Sequence, residues 1–301
     1  MSRSVVVTGA TSGIGLATAL ELAGAGYDVI GTARSEEKAA KLRATADHHC
    51  VGIRTVVLDV ADAESTVRGF TTIANMTDGG PWAVVNNAGF AQPGAIEDVD
   101  DEQARLQVET NVLGPARIAR LVLPAMRQRR DGRIVNISSM SGRVSTPFLG
   151  WYCASKHALE SLTDVLRMEV SRFGVKVVLI EPGSFGTAIW EKGIGALPRR
   201  KHSAYSDSYG HADEMLRRAK SLPPPLPVAR MVRTALDSPR PRARYVVGVD
   251  AKTGTALDAL LPTVLSDYAK EVATGLRTPP ERLGRLLEHL TRRRLSTQRV
   301  R

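Results

Sequence analysis

The chain has 301 residues, 43% of them hydrophobic and 24% charged, which provides for one large core or two smaller ones and excludes intrinsic disorder or a fibrous repeat as the main state. No apolar run approaches the roughly 18 residues of a membrane span. The formal charge of +10 is uneven: residues 276–301 hold eight arginines against Glu281 and Glu288, a +6 tail that leaves +4 for everything before it. The excess therefore belongs to a tail, so no nucleic acid is expected as partner. A solvated C-terminal helix is the plainer reading of it, with weak contact to a membrane surface as the alternative. Two cysteines, Cys50 and Cys153, build neither a disulfide framework nor a Cys-rich metal site. The first residues carry no signal-peptide pattern, so a reducing cytoplasm and no metal are expected.

In chain order, strands are predicted at 4–8, 29–33, 53–58, 83–85, 133–137 and 175–180, several as continuous Val/Ile runs. Such runs mark strands buried on both faces of a parallel sheet. Helical patterns lie between them at 14–25, 36–46, 65–76, 101–126 and 152–173. The alternation predicts right-handed βαβ units and an α/β fold: a doubly wound, Rossmann-type parallel sheet with helices on both faces. After Pro182-Gly183 the pattern loosens. Residues 184–226 read as a substrate lid, 228–236 as a short helix and 244–249 as a strand. Residues 253–276 read as helical, with interruptions at Gly254 and Pro262. A last helix follows Pro279-Pro280, with Leu283, Leu286, Leu287 and Leu290 at helical spacing. The division expected is a Rossmann-type NADP-binding catalytic domain at 1–250, including the lid, and a C-terminal helical extension with a basic tail at 251–301.

The run Thr8-Gly9-Ala10-Thr11-Ser12-Gly13-Ile14-Gly15 joins the first strand to the first helix. Glycines there permit a tight turn and let a pyrophosphate approach the backbone, and the helix start offers free N–H donors. Arg34 closes the second strand nineteen residues after Gly15. An acidic residue near that distance would bind the 2′-hydroxyl of NAD, whereas an arginine accommodates a 2′-phosphate. NADP(H) is expected in preference to NAD(H), against the plainer reading of Arg34 as a solvated loop residue.

Tyr152 and Lys156 stand four residues apart at a helix start and share a face. A neighbouring ammonium favours the phenolate, so Lys156 is expected to lower the Tyr152 pKa and let it exchange protons near neutrality. Ser139, just past the strand at 133–137, reaches the carboxyl edge of the sheet, where its hydroxyl can hydrogen-bond a developing alkoxide. Ser138 competes for that role.

These pieces together resemble the short-chain dehydrogenase/reductase family over about residues 4–185. The matching motifs follow the family's order: Thr8 to Gly15, Asp59-Val60, Asn86-Asn87-Ala88-Gly89, Asn111, Ser139, Tyr152-Cys-Ala-Ser-Lys156 and Pro182-Gly183. The run from Tyr152 to Glu160, with Arg172 to Val175 and Val178 to Gly183, is similar to the 17β-hydroxysteroid and retinol dehydrogenase branch. The resemblance implies a catalytic tetrad of Asn111, Ser139, Tyr152 and Lys156, its serine spacing selecting Ser139. It implies further that Asn111 holds a water linking Lys156 to solvent, and that Lys156 also binds the nicotinamide ribose. Asp59 and Val60 would flank the adenine, and Asn87, Ala88 and Gly89 would line the adenosine ribose. Pro182, Gly183 and Thr187 would approach the nicotinamide.

The activity expected is hydride transfer between NADP(H) and a secondary alcohol or ketone. Phe90, Phe148, Trp151, Phe185 and Trp190 fall near the expected site and suit a bulky lipophilic substrate, although ordinary packing or a subunit interface explains them as well. His157 and Cys153 read as helix packing. Lys192, Arg199, Arg200 and Lys201 could hold an acidic substrate tail. The alternative function is an NADP-binding sensor or scaffold without turnover. Relatives assemble through their long helices, so a homo-oligomer is expected.

Overall fold

A run such as Val5-Val6-Val7 has no polar face to offer water, and it sits in the middle of a sheet covered on both sides. The computed structural model describes residues 3–187, 189, 203–210, 214 and 222–278. Seven strands form one sheet: β1 (Ser4–Val7), β2 (Asp28–Ala33), β3 (Ile53–Val57), β4 (Ala83–Asn86), β5 (Gly132–Ile137), β6 (Val175–Pro182) and β7 (Arg244–Val247). Their order is β3-β2-β1-β4-β5-β6-β7 and every pairing is parallel. The chain leaves β1 towards β2 and β3, then returns to place β4 on the other side of β1. This reversal opens a crevice at the carboxyl ends of β1 and β4, the place where doubly wound sheets bind ligands.

Nine α-helices are described: α1 (Gly13–Gly24), α2 (Glu36–His48), α3 (Ala63–Met76), α4 (Asp101–Val108), α5 (Gly114–Arg129), α6 (Gly150–Val170), α7 (Leu226–Asp237), α8 (Val249–Leu260) and α9 (Thr263–Ala273). The two-residue period of the strands divides the core. Val5, Val7, Val29, Val135, Ile137, Val178 and Ile180 face Leu22 of α1, Leu42 of α2, and Val232 and Leu236 of α7. Val6, Ile30, Val84, Ile134 and Val177 face Phe70 and Ile73 of α3, and Ile118, Val122 and Met126 of α5. Helix starts follow their capping residues. Ser35, Asp62 and Asp100 each accept a hydrogen bond from the first turn of α2, α3 and α4, whereas α1 has no side-chain cap and no acid in its first turn.

The structure corrects the sequence expectation in three places. The helix expected at 101–126 is two helices joined by a π-helical turn, Glu109–Leu113. Pro115 lacks the N–H that would bond the Asn111 carbonyl, and the turn widens so that Gly114 N–H reaches Glu109. The segment expected at 253–276 is parted at Pro262 into α8 and α9 as expected, with Leu261 held extended before it, but Gly254 lies inside α8 and does not interrupt it. α8 begins at Val249, inside the expected strand, because Gly248 (φ 110°) turns the chain out of β7. The expected final helix and basic tail, most of the lid, and Trp190, Lys192, Arg199, Arg200 and Lys201 lie outside the described residues.

Ile30, fully buried in β2, tests the packing: Ile30→Ala is expected to cost about 2–5 kcal/mol in denaturant unfolding, and a loss below about 1 kcal/mol would contradict a tightly packed core at this site.

Candidate active site

The site begins with three backbone segments that touch at the carboxyl edge of β1 and β4. Gly9 takes φ 64°, and a Cβ there would stand 3.0 Å from Ala88 Cα. Gly15 opens onto the Gly9 carbonyl and the Asn87 amide, and a Cβ would collide with both. Asn87 Nδ2 donates to the carbonyls of Thr8 (2.9 Å) and Gly9 (3.3 Å), while Asn87 N–H and Ala88 N–H donate to Thr8 Oγ1 at 3.0 and 2.9 Å. Thr32 Oγ1 accepts from Gly9 N–H at 3.2 Å. The glycine turn and the Asn-Asn-Ala-Gly segment are thus one interlocked unit. Thr8 opens the glycine motif in the sequence, but its bracing role and that of Thr32 were not legible there, since both read as strand-end β-formers.

Thr11, Ser12 and Ile14 line the same turn, with Ser12 exposed. Gly13 (φ 56°) faces Thr187, whose Cβ would be 3.2 Å from an added Cβ, so the expected phosphate turn and the expected nicotinamide contact are neighbours. Pro182 ends β6, and Gly183 N–H bonds the Val247 carbonyl at 2.8 Å. The Asp250 carboxylate fills the space beside Gly183 and accepts from Ser184 N–H at 2.6 Å. Asp250 was not legible as a brace, since nothing in the sequence pairs it with Gly183.

Arg34 is exposed at the end of β2. Among the described residues, the acid nearest it in sequence, Glu36, is drawn into an ion pair with Arg43 (2.6 Å), which also bonds Thr55 Oγ1. Asp59 ties its carboxylate to Ala61 N–H at 3.0 Å. Val60 is buried against Gly114, with its carbonyl bonded to Arg117, so its side chain belongs to the core. Gly89 is exposed, and a Cβ there would meet Asn111 Oδ1 at 3.0 Å.

The expected tetrad converges from three elements. Tyr152 and Lys156 on α6 are each 6% exposed, with Lys156 Nζ 5.8 Å from the Tyr152 ring centre and donating to the Ile137 carbonyl at 2.8 Å. Ser139, capping the short 3-10 turn Met140–Gly142, hydrogen-bonds the Tyr152 hydroxyl. Ser138 instead lies against Glu160 and Gly142, which separates the two serines. Asn111 sits in the π-helical turn. Its side chain is held by the Phe90 backbone (3.0 and 3.3 Å) and by Ser155 Oγ (3.1 Å). Gln107, also buried and also missed, bonds Phe90 and Gln92 from the same helix run.

The electrostatics differ from the sequence expectation. Burial pushes the Tyr152 phenol up to about 12, against the lowering effect of the Ser139 hydrogen bond. Burial also brings Lys156 down to about 8, opposed by the Glu160 carboxylate. Desolvation penalises the charged form of each and is the largest influence on both. Tyr152 is therefore a protonated donor throughout the neutral range, and Lys156 is the member that titrates first.

Of the expected pocket aromatics, Phe185 packs into the core beside β6 and α7. Phe148 joins Tyr205, Tyr209 and Ala95 in a separate cluster, latched by Tyr209 and Ser203 hydroxyls that donate to Asp98 Oδ2. Phe90 and Trp151 remain half-buried beside the tetrad. His157 bonds the Cys153 carbonyl one turn back, and Cys153 is buried, consistent with helix packing for both. The described residues contain no cluster of metal-ligand side chains and no helix long and apolar enough to cross a membrane.

Residues 3–194 match the family model for short chain dehydrogenase. Human 17-beta-hydroxysteroid dehydrogenase type 6 is 34% identical over 285 residues, covering 88% of this chain and 87% of that protein. The crystal structure of a short-chain dehydrogenase from Streptomyces avermitilis superposes with a TM-score of 0.75 at 34% identity, covering 92% of this chain and 98% of that one. An actinorhodin polyketide ketoreductase variant, solved with NADPH, gives 0.70 at 28% identity, covering 82% and 95%. The motif order, the parallel sheet reversing at β1 and β4, and these likenesses agree: the chain belongs to the short-chain dehydrogenase/reductase family and is an NAD(P)-dependent oxidoreductase.

Proposed function

We propose that the protein transfers hydride between NADP(H) and a secondary alcohol or ketone, with Tyr152 as the proton donor. The observation that carries this is the burial of Tyr152 and Lys156 together, with the Ser139 hydroxyl on the phenol. A chain that only sensed the cofactor would have no use for two costly buried polar groups at this edge.

The residues present fit the cofactor. The uncapped start of α1 offers free N–H donors suited to a pyrophosphate, and the glycine turn before it, packed against Ala88, Asn87 and Thr187, holds them in place. Arg34, exposed just past the carboxyl end of β2, has no ion pair among the described residues and is free to meet a 2′-phosphate. Bound NADP(H) supplies or accepts the hydride. Ser139 orients the carbonyl oxygen, and Tyr152 donates its proton as negative charge develops there. Lys156 places a positive charge beside the phenol and holds ribose hydroxyls. Asn111 fixes the Phe90 backbone and, through Ser155, the face of α6 that presents Tyr152; from the widened turn it also orders water towards Lys156.

The substrate we infer is bulky and lipophilic, a steroid-, retinoid- or polyketide-like carbonyl or alcohol. Half-buried Phe90 and Trp151 and the likeness to human 17-beta-hydroxysteroid dehydrogenase type 6 support it. The exposed apolar residues Leu113, Leu121, Leu162, Val165 and Met168 on the long helix runs support a homo-oligomer. The free thiols of Cys50 and Cys153 support a reducing cytoplasm.

Tyr152→Phe is expected to lose about 100- to 10,000-fold in turnover while keeping cofactor affinity; a variant within a few-fold of wild type would remove Tyr152 from the role. Arg34→Ala is expected to lose about tenfold or more in NADPH affinity and little in NADH affinity, measured by nicotinamide fluorescence titration; equal losses would refute the 2′-phosphate contact. Carbonyl reduction is expected to be level in the neutral range and to fall as pH rises through about 8, because Lys156 loses its charge there while Tyr152 stays protonated. A profile that stays level to pH 10 would contradict Lys156 as the titrating member.

A further inference from the structure

One helical turn past Lys156 lies a set of charged groups that the proposed reaction does not use. Glu160 is one helical turn further along α6 and is buried. Glu181, on β6, is wholly buried and neither of its oxygens makes a hydrogen bond. Arg244 of β7 bridges the two: its Nε stands 3.2 Å from Glu160 Oε2 and 3.2 Å from Glu181 Oε1. Its remaining edge is bonded to Asp164, which also holds Arg167. Arg143 approaches Glu181 Oε2 from the solvent side at 3.6 Å. Ser138 Oγ and Glu160 Oε1 face the bare side of Gly142, where a Cβ would lie 2.8 and 3.2 Å from them, and neither makes a hydrogen bond.

Two carboxylates and one shared guanidinium, in a space this dry, make Glu160 dependent on its neighbours. Burial and the Glu181 charge push its carboxyl pKa up, whereas Ser138 and Arg244 pull it down. Glu160 is in turn the group whose charge sustains the Lys156 ammonium against burial.

Resting on the oxidoreductase reading above, we propose that Glu160 is a positioning residue for Lys156: a buried carboxylate, aligned by Arg244 and opposed by Glu181, that keeps the lysine charged where it faces Tyr152. The reaction would then depend on β6 and β7 as well as on the tetrad, since those strands carry Glu181 and Arg244.

The test is the titration of Lys156 itself, followed by NMR of isotope-labelled lysine in the full-length protein and assigned with Lys156→Arg. Glu160→Gln keeps the size and an acceptor for Arg244 but removes the charge, and is expected to move the Lys156 midpoint down by about one pH unit. The alkaline limb of carbonyl reduction should move with it. Glu160→Asp should restore most of the midpoint. Glu181→Gln disturbs the same buried set while leaving the Glu160 charge, so its midpoint should stay or rise. An unchanged midpoint in Glu160→Gln, or an equal fall in Glu181→Gln, would overturn the proposal. The NMR titration is independent of turnover, so absence of carbonyl reduction would count against the functional reading and leave this one standing.

Discussion

Everything at the functional edge depends on the closeness of two backbones, the glycine turn after β1 and the segment after β4. Gly15 leaves room for the Gly9 carbonyl and the Asn87 amide, and Gly9 leaves room for Ala88. Thr8 and Asn87 then convert that approach into hydrogen bonds. Any side chain at these glycines would part the two loops. The same contact fixes where α1 begins, and hence where its free N–H groups point. It also fixes the start of the loop that Asn111 and Gln107 clamp from the π-helical turn. The proposed phosphate site and the proposed proton donor share one edge because this crossing is tight.

On the other side of the crevice, burial governs. Tyr152 and Lys156 are both withdrawn from water, which keeps the phenol protonated and loosens the lysine's hold on its proton. The phenol therefore carries its proton through the neutral range, and the lysine charge is the adjustable quantity. Glu160 stands next in line along α6, and its own charge is held by Arg244 against that of Glu181. Further on, α8 reaches back to the site: Asp250 braces Ser184, and Gly254 packs on Met140 beside Ser139. This helix thus supports the loops that carry the site.

The parallel sheet, its helices and the convergence of Ser139, Tyr152 and Lys156 were legible because they rest on local signals. Val/Ile runs, glycine spacing and an i,i+4 pair each act within a few residues. What escaped the sequence depends on long-range geometry. The break at Glu109–Leu113 came from a proline removing one amide four residues on, a subtle signal inside an otherwise regular helix. Phe148 and Phe185 lie in loops beside the site in sequence, yet one joins Tyr209 and the other the sheet core. The expected lowering of the Tyr152 pKa followed from charge proximity alone, and the depth of burial that reverses it is a property of the folded chain. Glu160, Glu181 and Arg244 lie on three elements, and no spacing rule unites them.

The central claim is that this edge holds a nicotinamide cofactor and passes hydride from it to a carbonyl. The most direct measurement adds NADPH deuterated at the transferring carbon to the purified protein with a panel of steroid, retinoid, aliphatic and polyketide-like ketones. Nicotinamide absorbance and the mass of the products are then followed together. The account predicts loss of absorbance matched by one deuterium in a secondary alcohol. Tight NADPH binding with no alcohol from any class would contradict it.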